Sequence, residues 1–314
     1  MFEVAGLVLP LFGLVLLGYL AGRLMRIPLE GLAWLNFFIV YIALPALFFQ
    51  ILSQTPVDEF VNARFLISTS TATVAIFALS FGIARLIRQS DTRTSTVQGF
   101  AGAYGNIGYM GPPLALAAFG PEAGVPVALV FCLDNALFFT LAPTLMALGD
   151  NQPQSFTRVL GNIIKKIFTH PFIVATIVGI TAAWLQFRPP LVVDQSLSSV
   201  SGAAAPCALF AMGVTAALRP IKRIPIELTY LIPIKLLLHP LLVYLLLSNI
   251  PGLEQTWLYS AVLLAALPSA TNVFVIAQQY SVWEERASSA VVISTLISVV
   301  TVTLYLYLAQ SAII

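Results

Sequence analysis

The chain has 314 residues, 59% of them hydrophobic and 9% charged, with a net charge of +2. Soluble globular chains carry roughly 25% charged residues, so this one has too few polar groups to cover a water-facing surface. That sets aside a soluble enzyme, a disordered chain and a secreted disulfide-rich protein; the charge balance is also too small to suggest a nucleic-acid partner. Cys132 and Cys207 both lie in apolar stretches and read as buried thiols rather than a disulfide or a metal pair.

A helix needs roughly 20 apolar residues to cross the ~30 Å hydrocarbon layer. Windows of that size predict ten spans, near 3–22, 32–53, 63–87, 97–119, 123–147, 170–187, 194–217, 226–248, 256–280 and 287–311. The first does not read as a cleavable signal, because Glu3 stands where a basic segment belongs and the apolar run is too long. The apolar runs are continuous rather than alternating, which argues against a membrane β-barrel. The longest connection, about 149–169, is polar, with Asp150, Gln152, Gln154, Arg158, Lys165 and Lys166.

Twelve of the fifteen Lys and Arg residues fall in odd-numbered connections: Arg23 and Arg26; Arg85, Arg88 and Arg93; Arg158, Lys165 and Lys166; Arg219, Lys222 and Arg223; and Arg286. The even connections hold Arg64 and Arg188, and Lys235 falls inside span 8. The positive-inside rule makes the odd connections cytoplasmic, which puts both termini outside. Trp257 and Trp283 fall near span ends, as interface anchors do.

The chain also reads as written twice. Pro45-Ala46-Leu47-Phe48 in span 2 is matched by Pro206-Cys207-Ala208-Leu209-Phe210 in span 7, 161 residues later, and spans 4 and 9 are both interrupted by Pro, Gly or small polar residues. Five spans separate the halves, so the second half enters the membrane in the opposite sense, the pattern of an inverted repeat. The expected organisation is all-α and polytopic: a first five-helix repeat over 1–148, a cytoplasmic connector over 149–169 and a second repeat over 170–314.

The interruptions carry the functional expectation. Span 4 reads Gly102-Ala103-Tyr104-Gly105-Asn106-Ile107-Gly108-Tyr109-Met110-Gly111-Pro112-Pro113, and span 9 reads Ala265-Ala266-Leu267-Pro268-Ser269-Ala270-Thr271-Asn272. Proline breaks or kinks a helix, and freed backbone groups inside a bilayer are tolerated only against protein or a water-filled cavity. Two matched breaks near midplane point to a substrate site. Freed amides and helix N-termini suit an anion. The candidate substrate-binding residues are Asn106, Gly108, Gly111, Pro112, Pro268, Ser269, Thr271 and Asn272. Pro45 and Pro206 shape spans that line the site, and Gln50 and Ser53 are polar groups whose direction the sequence leaves open.

Two charges lie inside spans. Asp134 is about 11 residues into span 5, roughly 16 Å deep, where a carboxylate costs about 2.5–3.5 kcal/mol on insertion scales. It needs a proton, a cation or a base. Lys235 is about 9 residues into span 8, roughly 13 Å deep, with His239 one turn on. An Asp134–Lys235 pair within about 4 Å would couple proton movement to transport; a static ion pair and two unrelated charges are the alternatives. His239 reads as a satisfied interior histidine, and His170-Pro171 as the start of span 6. No Gly-x-x-x-x-Gly-Lys-Ser/Thr loop for ATP appears, and two scattered His give no metal centre. No cofactor is expected.

Together these segments resemble a bacterial member of the auxin efflux carrier family. Span 2 carries Leu35-Asn36-Phe37-Phe38 and then Leu44-Pro45-Ala46-Leu47-Phe48. Span 4 carries Asn106 and then Met110-Gly111-Pro112-Pro113-Leu114, close to the family's Asn-x-x-x-Met-Gly-x-Pro-Leu. Span 9 carries Leu267-Pro268 and then Phe274-Val275-x-Ala277-x-x-Tyr280. The resemblance covers essentially the whole chain. It implies the sodium/proton antiporter-like fold: spans 4 and 9 crossing at their breaks, and a transport bundle (spans 3–5 and 8–10) moving against a scaffold (spans 1, 2, 6 and 7), often in a homodimer. It implies small organic anions as substrates, auxin in plants and dicarboxylates such as malonate in some bacteria, and the bacterial inner membrane as location. Plant members usually have Pro before the crossover Asn; here the residue is Gly105, so Gly105, Gly108 and Pro112 are expected to shape the first break. The long central loop of plant members is missing, which argues against auxin itself. The same fold is implied for antiporters with an acid on span 5 and a later Lys, similar to Asp134-Asn135 with Lys235.

The leading expectation is therefore a secondary transporter of a small organic anion in the lipid bilayer, coupled to protons, with sodium as the second choice of coupling ion. A cation/proton antiporter using Asp134 and Lys235 is the alternative, and a non-transporting receptor on the same scaffold comes third.

Overall fold

A computed structural model describes residues 2–25, 28–60, 62–149, 156–219 and 224–313. In chain order the helices are α1 (Phe2–Met25), α2 (Ala33–Phe38), α3 (Leu44–Gln54), α4 (Ala63–Gly82), α5 (Thr92–Ala103), α6 (Ile107–Phe119), α7 (Gly124–Leu148), α8 (Phe156–Phe168), α9 (Pro171–Trp184), α10 (Leu191–Gly202), α11 (Ala204–Leu218), α12 (Leu228–Pro233), α13 (His239–Leu247), α14 (Gln255–Ala266), α15 (Thr271–Gln279) and α16 (Glu284–Ile313). Each of the ten predicted windows holds helix, and windows 4 and 9 each hold two pieces.

Six helical stretches are long and apolar enough to cross a membrane: Glu30–Gln54, Ala63–Ile87, Pro121–Leu148, Leu191–Leu218, Leu228–Leu247 and Glu284–Ala309. A seventh arises if α8 and α9, bent by 57° at their junction, count as one span. The chain is thus a polytopic, all-helical membrane protein, with no β-strand among the described residues. The halves of windows 4 and 9 are too short to qualify alone, since each is interrupted near its middle.

Two kinds of local strain shape the helices. Wide π-turns at Ile39–Ala43 and Ile234–Leu238 are followed two residues later by Pro45 and Pro240. A proline ring clashes with the carbonyl four residues back, and widening the preceding turn relieves that clash. Window 7 is divided at Ala203, three residues before Pro206. The polar connector proves to contain a helix, α8. Phe156, Val159, Leu160, Ile163, Ile164 and Ile167 recur at three- and four-residue spacing, an amphipathic stripe hidden among Lys165 and Lys166. Residues 150–155 of that connector lie outside the described residues, as do Arg26, Lys222, Arg223 and the side chain of Arg158, all used for orientation. Trp257 is not an interface anchor. It is buried, edge-on to Phe65 of α4 at 4.9 Å between centroids, so protein rather than lipid surrounds it.

The closest packing joins α1 to α11 and α3 to α9. Both contacts depend on glycine. A Cβ on Gly213 would fall 1.9 Å from the Val15 carbonyl oxygen, and one on Gly18 would fall 2.1 Å from that of Phe210. A Cβ on Gly179 would meet the Leu52 Cβ at 2.9 Å. In lipid, where apolar surface gains little from association, such backbone approach is a main source of helix affinity. Polar bonds tie α3 to α10 and to the connection between α9 and α10: Ser201 Oγ donates to Gln50 Oε1 at 2.6 Å, Gln50 Nε2 donates to Ser198 Oγ at 2.8 Å, and Arg188 Nη1 donates to the Ser53 carbonyl at 2.6 Å. Gln50 and Ser53 are therefore ties between helices. Gly213→Ala is expected to destabilise the protein by about 1–3 kcal/mol through overpacking, seen as a fall of several degrees in the unfolding temperature in detergent. An unchanged unfolding temperature would show that α1 and α11 do not approach this closely.

Candidate functional site

The two interruptions meet. α5 ends at Ala103, Tyr104 turns extended, and α6 starts after Asn106; α14 ends at Ala266, and Leu267 through Ala270 run extended before α15. Gly105 and Ser269 face each other as an antiparallel β-bridge. The Asn106 amide donates to the Pro268 carbonyl at 2.7 Å, and the Ala270 amide donates to the Tyr104 carbonyl at 3.0 Å. The Ser269 side chain continues the link by donating to the Ala101 carbonyl at 2.6 Å, while the Ser269 amide donates to Ser294 Oγ at 3.2 Å. Each break thus supplies the other's missing partners, as buried backbone requires. Gly105 suits this position, since a Cβ would stand 3.0 Å from the Leu264 carbonyl oxygen, a tight contact.

The first break is narrower than the sequence suggested. It spans Tyr104–Asn106, and Gly108, Gly111, Pro112 and Pro113 lie within α6. Gly111 is a packing position, its missing Cβ leaving room for Leu264 and Ile107. The prolines act on the cavity indirectly. They remove the donors that the carbonyls of Gly108 and Tyr109 would otherwise receive.

A cavity of about 130 Å³ lies against the crossing, lined by Tyr104, Asn106, Gly108, Tyr109, Asn135, His170, Thr271 and Asn272 among others. Gly108 and Tyr109 occupy the first turn of α6, and Thr271 and Asn272 the first turn of α15. First-turn amides have no acceptor within their own helix, so two helix N-termini present free N–H groups and partial positive charge to one cavity. Of the eight predicted binding residues, Asn106, Gly108, Thr271 and Asn272 line it. Pro268 and Ser269 build the bridge behind it, and Gly111 and Pro112 stand deeper in α6. Asn106 directs its amide to the Met212 sulfur of α11 at 3.5 Å.

Asn135 and Tyr104 were missed as lining residues. The Tyr104 hydroxyl donates to Asn135 Oδ1 at 2.7 Å, and Asn135 Nδ2 donates to the Phe131 carbonyl at 2.7 Å. The signal was the Asp134-Asn135 dipeptide, read for its acid alone. His170 was missed because it precedes a helix; the α8–α9 bend brings it to the cavity beside Phe172, 5.3 Å between ring centroids.

Asp134 and Lys235 are both buried, but the expected ion pair is not formed. The Thr73 hydroxyl donates to Asp134 Oδ1 at 3.1 Å. Lys235 Nζ donates to the Ala265 carbonyl at 2.6 Å and lies 3.2 Å from His239 Nδ1. The reason is the break in span 9. The α14 C-terminus offers a bare carbonyl and the negative end of its dipole, and the π-turn carrying Lys235 aims the ammonium there. His239 is accordingly a partner of Lys235.

This is the architecture of a membrane transporter: a polytopic helical protein with a polar cavity at two crossed, broken helices. The chain belongs to the membrane transport protein family, the family of the auxin efflux carriers, which it matches over residues 3–306. It is 55% identical over 311 residues to a protein of Rhizobium meliloti (strain 1021) named "Putative malonate transporter", covering 99% of this chain and 97% of that one. It is 23% identical to auxin efflux carrier component 8 of Arabidopsis thaliana over 98% of this chain and 97% of that one. It is 26% identical to an uncharacterized transporter of Methanothermobacter thermautotrophicus over 95% of this chain and 96% of that one. The protein is a transporter, not an enzyme.

Tyr104→Phe tests the polar wall. It leaves the buried Asn135 oxygen without its donor, at an expected cost of about 1–3 kcal/mol, read as a lower unfolding temperature in detergent. A variant as stable as the native chain would mean that water takes over the bond.

Proposed function

We propose that the protein is a secondary active transporter that moves a small organic anion, a dicarboxylate of the malonate type first, by alternating access and with proton coupling. One observation carries this reading: the first-turn residues of α6 and α15 converge on a single cavity, where their free amides suit a carboxylate. The substrate class follows the Rhizobium meliloti relative, whose name specifies malonate.

Ten crossings in two inverted five-helix repeats, 1–148 and 170–314, accommodate the helix contacts. Under that topology span 1 packs on span 7 and span 2 on span 6, which are equivalent pairs of an inverted repeat, while span 3 packs on span 8, its own counterpart. Spans 1, 2, 6 and 7 then form a scaffold, and spans 3–5 and 8–10 the moving bundle. The charge bias supports cytoplasmic odd connections with both termini outside, in a bacterial inner membrane, with a homodimer as the family resemblance implies.

Asp134 is the coupling group. It lies on α7 next to the cavity-lining Asn135, is buried, and is bonded to Thr73 rather than to a cation. Its charge must be offset by a proton or another cation when water is excluded. Lys235 holds the end of α14 against the crossing, within electrostatic range of Asp134, so a change of charge at Asp134 reaches the break through Lys235. The same buried acid supports the second reading, a cation/proton antiporter with no organic substrate.

Proteoliposomes offered labelled malonate, succinate, lactate and indole acetate, with and without a pH gradient, decide between them. Gradient-stimulated uptake of a dicarboxylate is expected. A folded protein that takes up none of the panel would give the antiporter first place. Asn106→Ala should abolish malonate binding by calorimetry while the protein stays monodisperse, and unchanged affinity removes Asn106 from the site. Asp134→Asn should bind malonate yet lose the response to the gradient; uptake still driven by pH would take the coupling role from Asp134.

A further inference from the structure

Arg219 follows α11 directly, its amide donating to the Thr215 carbonyl at 3.1 Å. Its guanidinium carbon lies 4.2 Å from the centroid of the Phe274 ring on α15. Nε and Nη1 are buried and donate to nothing. An unmatched charged donor is among the costlier groups to bury, and a guanidinium stays charged at any physiological pH. Its surroundings therefore ask for an acceptor that the described residues do not supply.

The position of these unmatched donors gives them meaning. Phe274 is three residues after Thr271, on the same face of α15, and Thr271 lines the cavity. Arg219 is also within electrostatic range of Tyr109, which lines the cavity too. The Tyr109 hydroxyl donates to Asn36 Oδ1 at 3.2 Å. Asn36 sits in the first turns of window 2 and Arg219 at the end of window 7, both at the side that carries the basic connections. Arg219 thus stands between α11 and α15, one helical turn from the cavity toward that side.

We infer that Arg219 is an anion-recognition residue at the cytoplasmic mouth of the cavity, binding a substrate carboxylate through its unmatched Nε and Nη1 donors. The inference rests on the organic-anion reading above and adds to it a preference for dianions. The guanidinium carbon lies over the Phe274 ring, and the unmatched Nε and Nη1 remain for the charge-assisted hydrogen bonds that carboxylates form with arginine. A dianion is attracted about twice as strongly as a monoanion at a given distance. A cation fixed at the mouth therefore selects for charge before the substrate reaches the uncharged amides of α6 and α15.

The test is kinetic. In proteoliposomes Arg219→Gln should raise the KM for malonate about tenfold or more and change kcat little, and should narrow the preference for malonate over lactate. Arg219→Lys keeps the charge but not the planar edge and should restore part of the loss. A stable Arg219→Gln protein with native KM and native selectivity overturns the inference while leaving the transporter reading intact. A native protein that carries no anion fails that reading and this one with it. Should the variants not fold, the native protein treated with an arginine-specific dione decides. Malonate should protect Arg219 and not Arg188 when the modified peptides are weighed, and equal modification of Arg219 with and without malonate overturns the assignment.

Discussion

The architecture turns on one constraint: backbone groups freed inside a bilayer must find partners within the protein. Tyr104–Asn106 and Leu267–Ala270 are two stretches that leave the helix, and their backbone groups would be bare if either stood alone inside a bilayer. Brought together they make the antiparallel bridge of Gly105 and Ser269, with its two amide–carbonyl bonds. The bridge uses the inner groups of each break and leaves the first-turn amides of α6 and α15 facing outward into a cavity. The same geometry that rescues the backbone thus creates the polar surface.

The charged groups are arranged around that bridge. Lys235 occupies the carbonyl of Ala265, the acceptor left over where α14 stops. It can do so because the π-turn before Pro240 rotates its side chain inward. Beyond the membrane-facing helices, Arg93 Nη2 donates to the Tyr280 carbonyl at 2.7 Å, which caps the far end of α15 from the start of α5. Arg286 is bonded to the buried carboxylate of Glu227, tying the start of α16 to the start of α12. Cations bound to oxygen thus hold the break at the end of α14 and the side of the crossing where α5 begins and α15 ends. Asp134 differs from these groups in its direct partner, the neutral hydroxyl of Thr73, although Lys235 remains within electrostatic range.

Much of this was legible in the residues. Continuous apolar runs gave the ten helical windows, and the Gly-Asn and Pro-Ser clusters gave both breaks. What the sequence hid was direction. Gly111 and Pro112 belong to the same motif as Asn106 and Gly108, but one further turn of helix points them into packing. Asp134 and Lys235 looked like partners because they are the two charges inside spans, and charge alone did not reveal that Ala265 and Thr73 were nearer. Asn135, Tyr104 and His170 carry no motif of their own; they reach the cavity because α7, α5 and the α8–α9 bend bring them there. The stripe of α8 was readable by its spacing and was masked by the polarity of the residues between.

The contacts differ in kind across the molecule, and the difference bears on movement. α1 with α11 and α3 with α9 are joined by glycine-permitted backbone approach, in which a Cβ would strike a backbone oxygen in the first pair and the Leu52 Cβ in the second. Such pairs move as one body or not at all. Contacts between these pairs and the crossed helices are of another sort. Asn106 meets α11 through a methionine sulfur, a weak acceptor, Tyr109 meets α2 through one neutral hydroxyl bond to Asn36, and Arg219 meets α15 through the face of a ring. A sulfur contact, a single neutral bond and a ring stack can each be exchanged for water or substrate at small cost, whereas the bridge at Gly105 and Ser269 cannot. The weakest polar contacts therefore lie beside the crossing and not within it, which is where the proposed alternating-access movement would divide the protein, with the anion on the side that carries the amides.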